Sequence, residues 1–111
     1  MDKKDALRII DDYINRLIIN KINIHSAYLF GSFAKENNHA NSDIDLAIVI
    51  NKIKNSFETE IKLMTLRKKH ETIIEPHIFD KDSFKKVNPF INEIINTGIQ
   101  IKIQNIEIKS V

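Results

Sequence analysis

Asp43 and Asp45 stand two residues apart at the head of an apolar run, Asp43-Ile44-Asp45-Leu46-Ala47-Ile48-Val49-Ile50. On a strand, side chains alternate, so both carboxylates emerge on one face. Two carboxylates this close repel, and both stay ionised when a cation sits between them. Oxygen donors on a rigid strand suit a hard divalent ion such as Mg²⁺ rather than zinc. Upstream, Gly31-Ser32 follows the apolar stretch Ala27-Tyr28-Leu29-Phe30. A glycine at a strand end and a serine opening a helical turn aim backbone N–H groups and a hydroxyl at an anion. Downstream, Glu75 is a carboxylate inside an otherwise apolar stretch, with His77 on the same face two residues on. Each feature alone has a plainer meaning: a solvated turn, a serine cap, an edge-strand glutamate, a structural histidine.

The elements that position these residues follow from periodicity. Ala6, Ile10, Tyr13, Ile14, Leu17 and Ile18 form one helical stripe, which predicts a helix over residues 5–20 with Asp5 as its N-cap. Residues 24–30 read as a strand that ends at Gly31. A helical turn and a polar loop over 35–42 lead to a strand over 43–50, solvated on one side at first and then buried. Phe57, Ile61 and Met64 mark a charged surface helix over about 56–70. Residues 72–79 form a third strand candidate, and Pro76, which cannot donate to the ladder, favours an edge position or an irregular strand. Asn88-Pro89 open a last helix through Ile91, Ile94 and Ile95, Gly98 closes it, and residues 99–103 alternate as a final strand. The tail from 104 to 111 either extends the sheet or frays. Alternating helices and strands imply an α/β layering around one sheet, in a single domain over residues 1–111.

Composition narrows the function classes. The 111 residues are 42% hydrophobic and 29% charged, the balance of a globular chain rather than a disordered one. Isoleucine supplies roughly a fifth of them, which blurs helix against strand and carries no function. No cysteine is present, which removes disulfides, thiolate zinc sites and cysteine nucleophiles. Two glycines leave no P-loop. A net charge of +2 and a short basic cluster, Arg67-Lys68-Lys69-His70, without an aromatic platform argue against direct nucleic-acid binding. No apolar run is long enough for a membrane span and no signal peptide is visible, so the expected location is cytoplasmic.

Taken together, the segment Gly31–Leu46, GSFAKENNHANSDIDL, followed some thirty residues later by a strand carboxylate, resembles the nucleotidyltransferase superfamily that includes DNA polymerase β. More narrowly it resembles the minimal nucleotidyltransferases (MNT or MntA-type), whose pattern G-S-[FY]-A-[RK]-G-x5-S-D-I-D-L has the same spacing. Two positions depart from that pattern: Glu36 replaces the glycine after the basic residue, and Glu75 stands where the superfamily usually has aspartate.

The resemblance implies an α+β nucleotidyltransferase fold, a small mixed β-sheet flanked by helices. It implies transfer of a nucleoside monophosphate, AMP from ATP being the first choice, to an acceptor hydroxyl with release of pyrophosphate. Asp43, Asp45 and Glu75 would be the catalytic and metal-holding residues for two Mg²⁺ ions, with Glu75 on the side of the attacking oxygen. Gly31, Ser32 and Lys35 would bind the triphosphate. The minimal proteins typically stand beside a HEPN partner, an α-helical protein that is often an RNase toxin. The implied role is therefore that of an antitoxin that adds AMP to a tyrosine of the toxin. Two alternatives come from other classes. One is a binding module that neutralises a partner by contact, and the other is an aminoglycoside-type enzyme acting on a small molecule. A chain of this length leaves little room for a separate acceptor domain, which favours an acceptor borrowed from another molecule.

Overall fold

The structure, a computed structural model, describes residues 1–35 and 42–103. Glu36 and the tail from 104 lie outside the described residues. Helix α1 spans Lys3–Ile19 and buries Ala6, Ile10, Tyr13, Ile14 and Leu17, the stripe that the spacing predicts. Its N-cap is Asp2 rather than Asp5. The Asp2 carboxylate accepts from the Asp5 N–H at 2.9 Å and the Asp5 carboxylate accepts from the Asp2 N–H at 3.4 Å, a reciprocal pair that consumes both aspartates.

Strand β1 runs over Ile24–Phe30 and β2 over Ile44–Ile50, antiparallel to it. Helix α2, Ser56–Thr65, then carries the chain across to β3, Ile74–Asp80, which lies parallel to β2. Helix α3, Pro89–Thr97, leads into β4, Ile99–Gln100, antiparallel to β1. The sheet order is β3-β2-β1-β4, so Pro76 sits on an edge strand where its missing N–H costs no ladder bond. Strand β4 is shorter than the alternation over 99–103 predicts, although the Ile101 N–H still reaches the Ala27 carbonyl at 2.8 Å.

Alternation divides the sheet into two faces. Leu29, Ile44, Leu46, Ile48, Ile50 and Ile74 join the α1 stripe and Leu63 of α2 in the main core. The opposite face carries Tyr28, Phe30, Phe79, Phe84 and Phe90, whose ring centroids lie 5.2–6.3 Å from their neighbours. Asn88 caps α3 by accepting from the Phe90 and Ile91 N–H groups, with Pro89 at the first helical position. No helix among the described residues is long and apolar enough to cross a membrane.

Helix α2 is shorter than the sequence expectation. It ends at Thr65 rather than near residue 70, because Arg67 folds back: its guanidinium donates to the carbonyls of Met64, Thr72 and Ile74. The apolar residues that mark this surface helix face outward. Leu63 is its buried residue, while Phe57, Ile61 and Met64 are 72%, 47% and 45% exposed.

A buried polar anchor ties α1 to the turn before β3. The Glu71 carboxylate has no exposure and accepts from the Arg16 guanidinium and, at 2.7 Å, from the Lys68 N–H. Burial alone would push the Glu71 carboxyl up, but the Arg16 and Lys68 donors outweigh it and hold the group below the usual glutamate range. Nearby, the Tyr13 hydroxyl donates to the Leu63 carbonyl, and burial raises its phenol well above the ordinary tyrosine range.

Candidate active site

The candidate chemistry gathers where β1 ends and β2 and β3 begin. Asp45 is the second residue of β2, and its partners across the sheet are Phe30 on β1 and Glu75 on β3. Residues paired in register point to the same side, so Asp45 and Glu75 project together onto the aromatic face. His77, two residues beyond Glu75 on the same strand, projects there as well. Its Nε2 lies 3.3 Å from Oδ1 of Asp45, and its ring meets the Phe30 ring edge-on at a centroid distance of 5.1 Å.

Each of Asp45, Glu75 and His77 offers one ligand atom, and these atoms lie within 4.8 Å of one another. Two ligands about 2.1 Å from one octahedral ion lie about 3.0 Å apart when adjacent and about 4.2 Å apart when opposed. The His77–Asp45 spacing of 3.3 Å is near that of adjacent ligands, and the trio as a whole would have to draw together to hold one divalent cation. Two carboxylate oxygens suit a hard ion, and the imidazole nitrogen adds a donor that Mg²⁺ seldom uses. Asp43 stands just before β2, exposed, and is outside this trio.

Gly31 begins a turn over residues 31–35 in which the Lys35 N–H bonds back to the Gly31 carbonyl at 3.2 Å. The turn is pinned from below by Phe33, which is buried in the main core. Gly31 has φ +76°, a left-handed conformation that L side chains seldom adopt. A Cβ there would also press on Oδ2 of Asp45, so that carboxylate would have to move aside. Ser32 is half-buried beside it. Lys35 is exposed, and its ammonium lies 3.2 Å from Oε1 of Glu93 on α3. A cleft of about 230 Å³ opens between this turn and α3, walled by Phe30, Phe90, Ile94 and Thr97 with Lys35 and Glu93 at its charged side.

Of the six site residues expected from sequence, the structure thus joins Gly31, Asp45 and Glu75 most closely, sets Ser32 and Lys35 on the adjoining turn, and leaves Asp43 at the rim. His77 is the residue that sequence reading undervalued. Its shared face with Glu75 was legible, but its approach to Asp45 depends on the parallel register of β2 and β3, which no local pattern encodes.

Comparisons with known proteins bear on the family and the fold. The family model for the polymerase β nucleotidyltransferase domain matches residues 12–107. No curated protein matches the chain. Among solved structures, a protein from Sulfolobus solfataricus assigned to the nucleotidyltransferases is similar with a TM-score of 0.65 and 16% identity, over 88% of this chain and 80% of that one. A toxin–antitoxin chain crystallised with AMP-PNP has a TM-score of 0.56 at 23% identity, over 86% and 74%. A chain of the MntA–HpeT toxin–antitoxin, in a variant with two aspartates two positions apart changed to glutamate, has a TM-score of 0.54 at 18% identity, over 95% and 76%. At these identities the likeness is one of fold.

Proposed function

The chain belongs to the polymerase β nucleotidyltransferase family, and we propose that it transfers AMP from ATP to a hydroxyl of a protein partner, as the antitoxin of a toxin–antitoxin pair. The observation that carries the catalytic part is the pairing of Asp45 with Glu75 across β2 and β3, beside the Gly31 turn.

Asp43, Asp45 and Glu75 would hold the divalent ions, Mg²⁺ in the first instance, which when bound offset charge on the phosphates and on the entering and leaving oxygens. The Ser32 hydroxyl and the backbone N–H groups next to Gly31 receive phosphate oxygens, and Lys35 adds a point charge once it leaves Glu93. Glu75 is the acceptor-side carboxylate and takes the proton of the attacking hydroxyl. That oxygen bonds to the α-phosphorus, the bond to the bridging oxygen breaks, and pyrophosphate leaves with the electron pair. Phe30 and Phe90 give the neighbouring cleft an apolar wall on which a nucleobase can rest.

The protein acceptor rests on two supports. Two of the similar structures are toxin–antitoxin chains, one of them with an ATP analogue. This chain also presents Phe57, Ile61 and Met64 to solvent along one side of α2, a surface suited to a partner. The acceptor of choice is a tyrosine of a HEPN-type toxin. The test is incubation of the chain with ATP labelled at its α-phosphate, a divalent cation and the protein that co-purifies with it. The reading expects label on a tyrosine of the partner. Tight association with no label transferred contradicts it and leaves neutralisation by contact. Label on a free small molecule instead contradicts the protein acceptor.

A further inference from the structure

We propose that His77 is a nitrogen ligand of the acceptor-side metal, so that this position takes a first-row transition ion in preference to Mg²⁺. The inference rests on the nucleotidyltransferase reading of the same site and specifies its metal.

Three observations carry it. First, Nε2 of His77 and Oδ1 of Asp45 are 3.3 Å apart, close to the roughly 3.0 Å of adjacent ligands on one octahedral ion. Second, Glu75 completes the set from the same strand face, with all three ligand atoms inside a 4.8 Å spread, whereas Asp43 stands apart from it. The trio thus forms a candidate set for one ion that does not include Asp43. Third, the imidazole is held in place. The Phe30 ring packs against it edge-on, and the β3 backbone is paired with β2 from Ile74 to Asp80.

Donor chemistry then sets the preference. Mg²⁺ takes carboxylates, waters and phosphate oxygens and keeps much of its hydration. An imidazole is a borderline donor whose contribution rises from Mn²⁺ through the later divalent ions. One His and two carboxylates is a donor set for such ions, with positions left open for an acceptor oxygen or water.

Mn²⁺ alone, added to the full chain without nucleotide, is the probe. Electron spin-echo spectra of the bound ion are expected to show nitrogen modulation, and labelling the wild-type chain with heavy nitrogen is expected to change its frequencies. His77→Gln is expected to abolish the modulation and to weaken Mn²⁺ binding about tenfold or more, with little change in Mg²⁺ affinity. No Mn²⁺ binding, bound Mn²⁺ without nitrogen modulation, or modulation that survives His77→Gln each overturns the proposal. The labelling arm needs no variant, so a misfolded His77→Gln does not shield the idea. Transfer of AMP with Mg²⁺ is measured on the same wild-type sample. Transfer without nitrogen modulation sinks the ligand assignment alone, and modulation without any transfer sinks the catalytic reading alone.

Discussion

The α-carbon of Gly31 lies against the carboxylate of Asp45: a methyl group built on it would overlap Oδ2 and sit 3.2 Å from Cγ. The Gly31 turn and the head of β2 thus meet at a position whose φ of +76° favours glycine. Gly31→Ala is expected to cost about 1–3 kcal/mol of folding stability through left-handed strain and the clash. Displacing Asp45 by even an ångström is expected to cut transfer by about a hundredfold. Urea denaturation and a transfer assay on the same preparation separate the two effects.

Asp45 and Glu75 are paired in register on neighbouring strands, and two like charges in that arrangement oppose folding. Glu75→Gln removes one of them and keeps the shape. In metal-free buffer its stability is expected to be unchanged or higher by up to about 1 kcal/mol, while transfer falls. Added Mn²⁺ or Mg²⁺ is expected to raise the unfolding temperature of the wild type and not of the variant. A Glu75→Gln chain that is markedly less stable without metal would make Glu75 a structural residue.

Much of this was legible in the sequence, for reasons that are local. Strand β1 has its predicted bounds because the Gly31 turn punctuates it, and α3 has its own because Asn88, Pro89 and Gly98 each do one thing. At Gly98 the need is for space: a Cβ would crowd the backbone oxygens of Ile94 and Leu29. The N-cap of α1 was misplaced at Asp5, because Asp2 has the same chemistry three residues earlier and the two bond each other. The side of α2 that faces the core was not legible. Periodicity finds a stripe of Phe57, Ile61 and Met64 but not what lies opposite it, and the core takes Leu63. His77 is the same lesson at the site, since its approach to Asp45 comes from strand pairing between residues 32 apart.

Lys35 and Glu93 form an exposed ion pair at the mouth of the cleft. Exposed pairs contribute about 0.2–1 kcal/mol, so releasing Lys35 by Glu93→Gln is expected to tighten ATP binding by up to about fivefold at low salt. Lys35→Ala is expected to weaken it. Calorimetric titration with ATP checks both. An affinity that Lys35→Ala leaves unchanged removes Lys35 from the phosphate site.

The Arg16–Glu71 anchor gives stability a pH dependence of known sign. The Glu71 carboxyl is held below the usual range, so the folded chain binds its proton less readily than the unfolded chain. The contribution is therefore complete above the ordinary glutamate range and is lost as pH falls through that range and below it. Glu71→Gln leaves Arg16 without its charge partner and is expected to cost about 3–5 kcal/mol near neutral pH. The deficit is expected to shrink as the wild type itself is protonated. Urea midpoints of both chains across the acid range test this, and a deficit constant with pH contradicts it.

Nucleotidyl transfer is expected to depend on Asp43 and Asp45 at the head of β2. The most direct measurement is release of pyrophosphate and transfer of the α-phosphate label from ATP by the wild type and by the Asp43→Asn/Asp45→Asn double variant, each with its co-purified partner. Transfer by the wild type and a loss to background in a double variant that remains folded are expected. Transfer undiminished in the double variant would contradict that dependence.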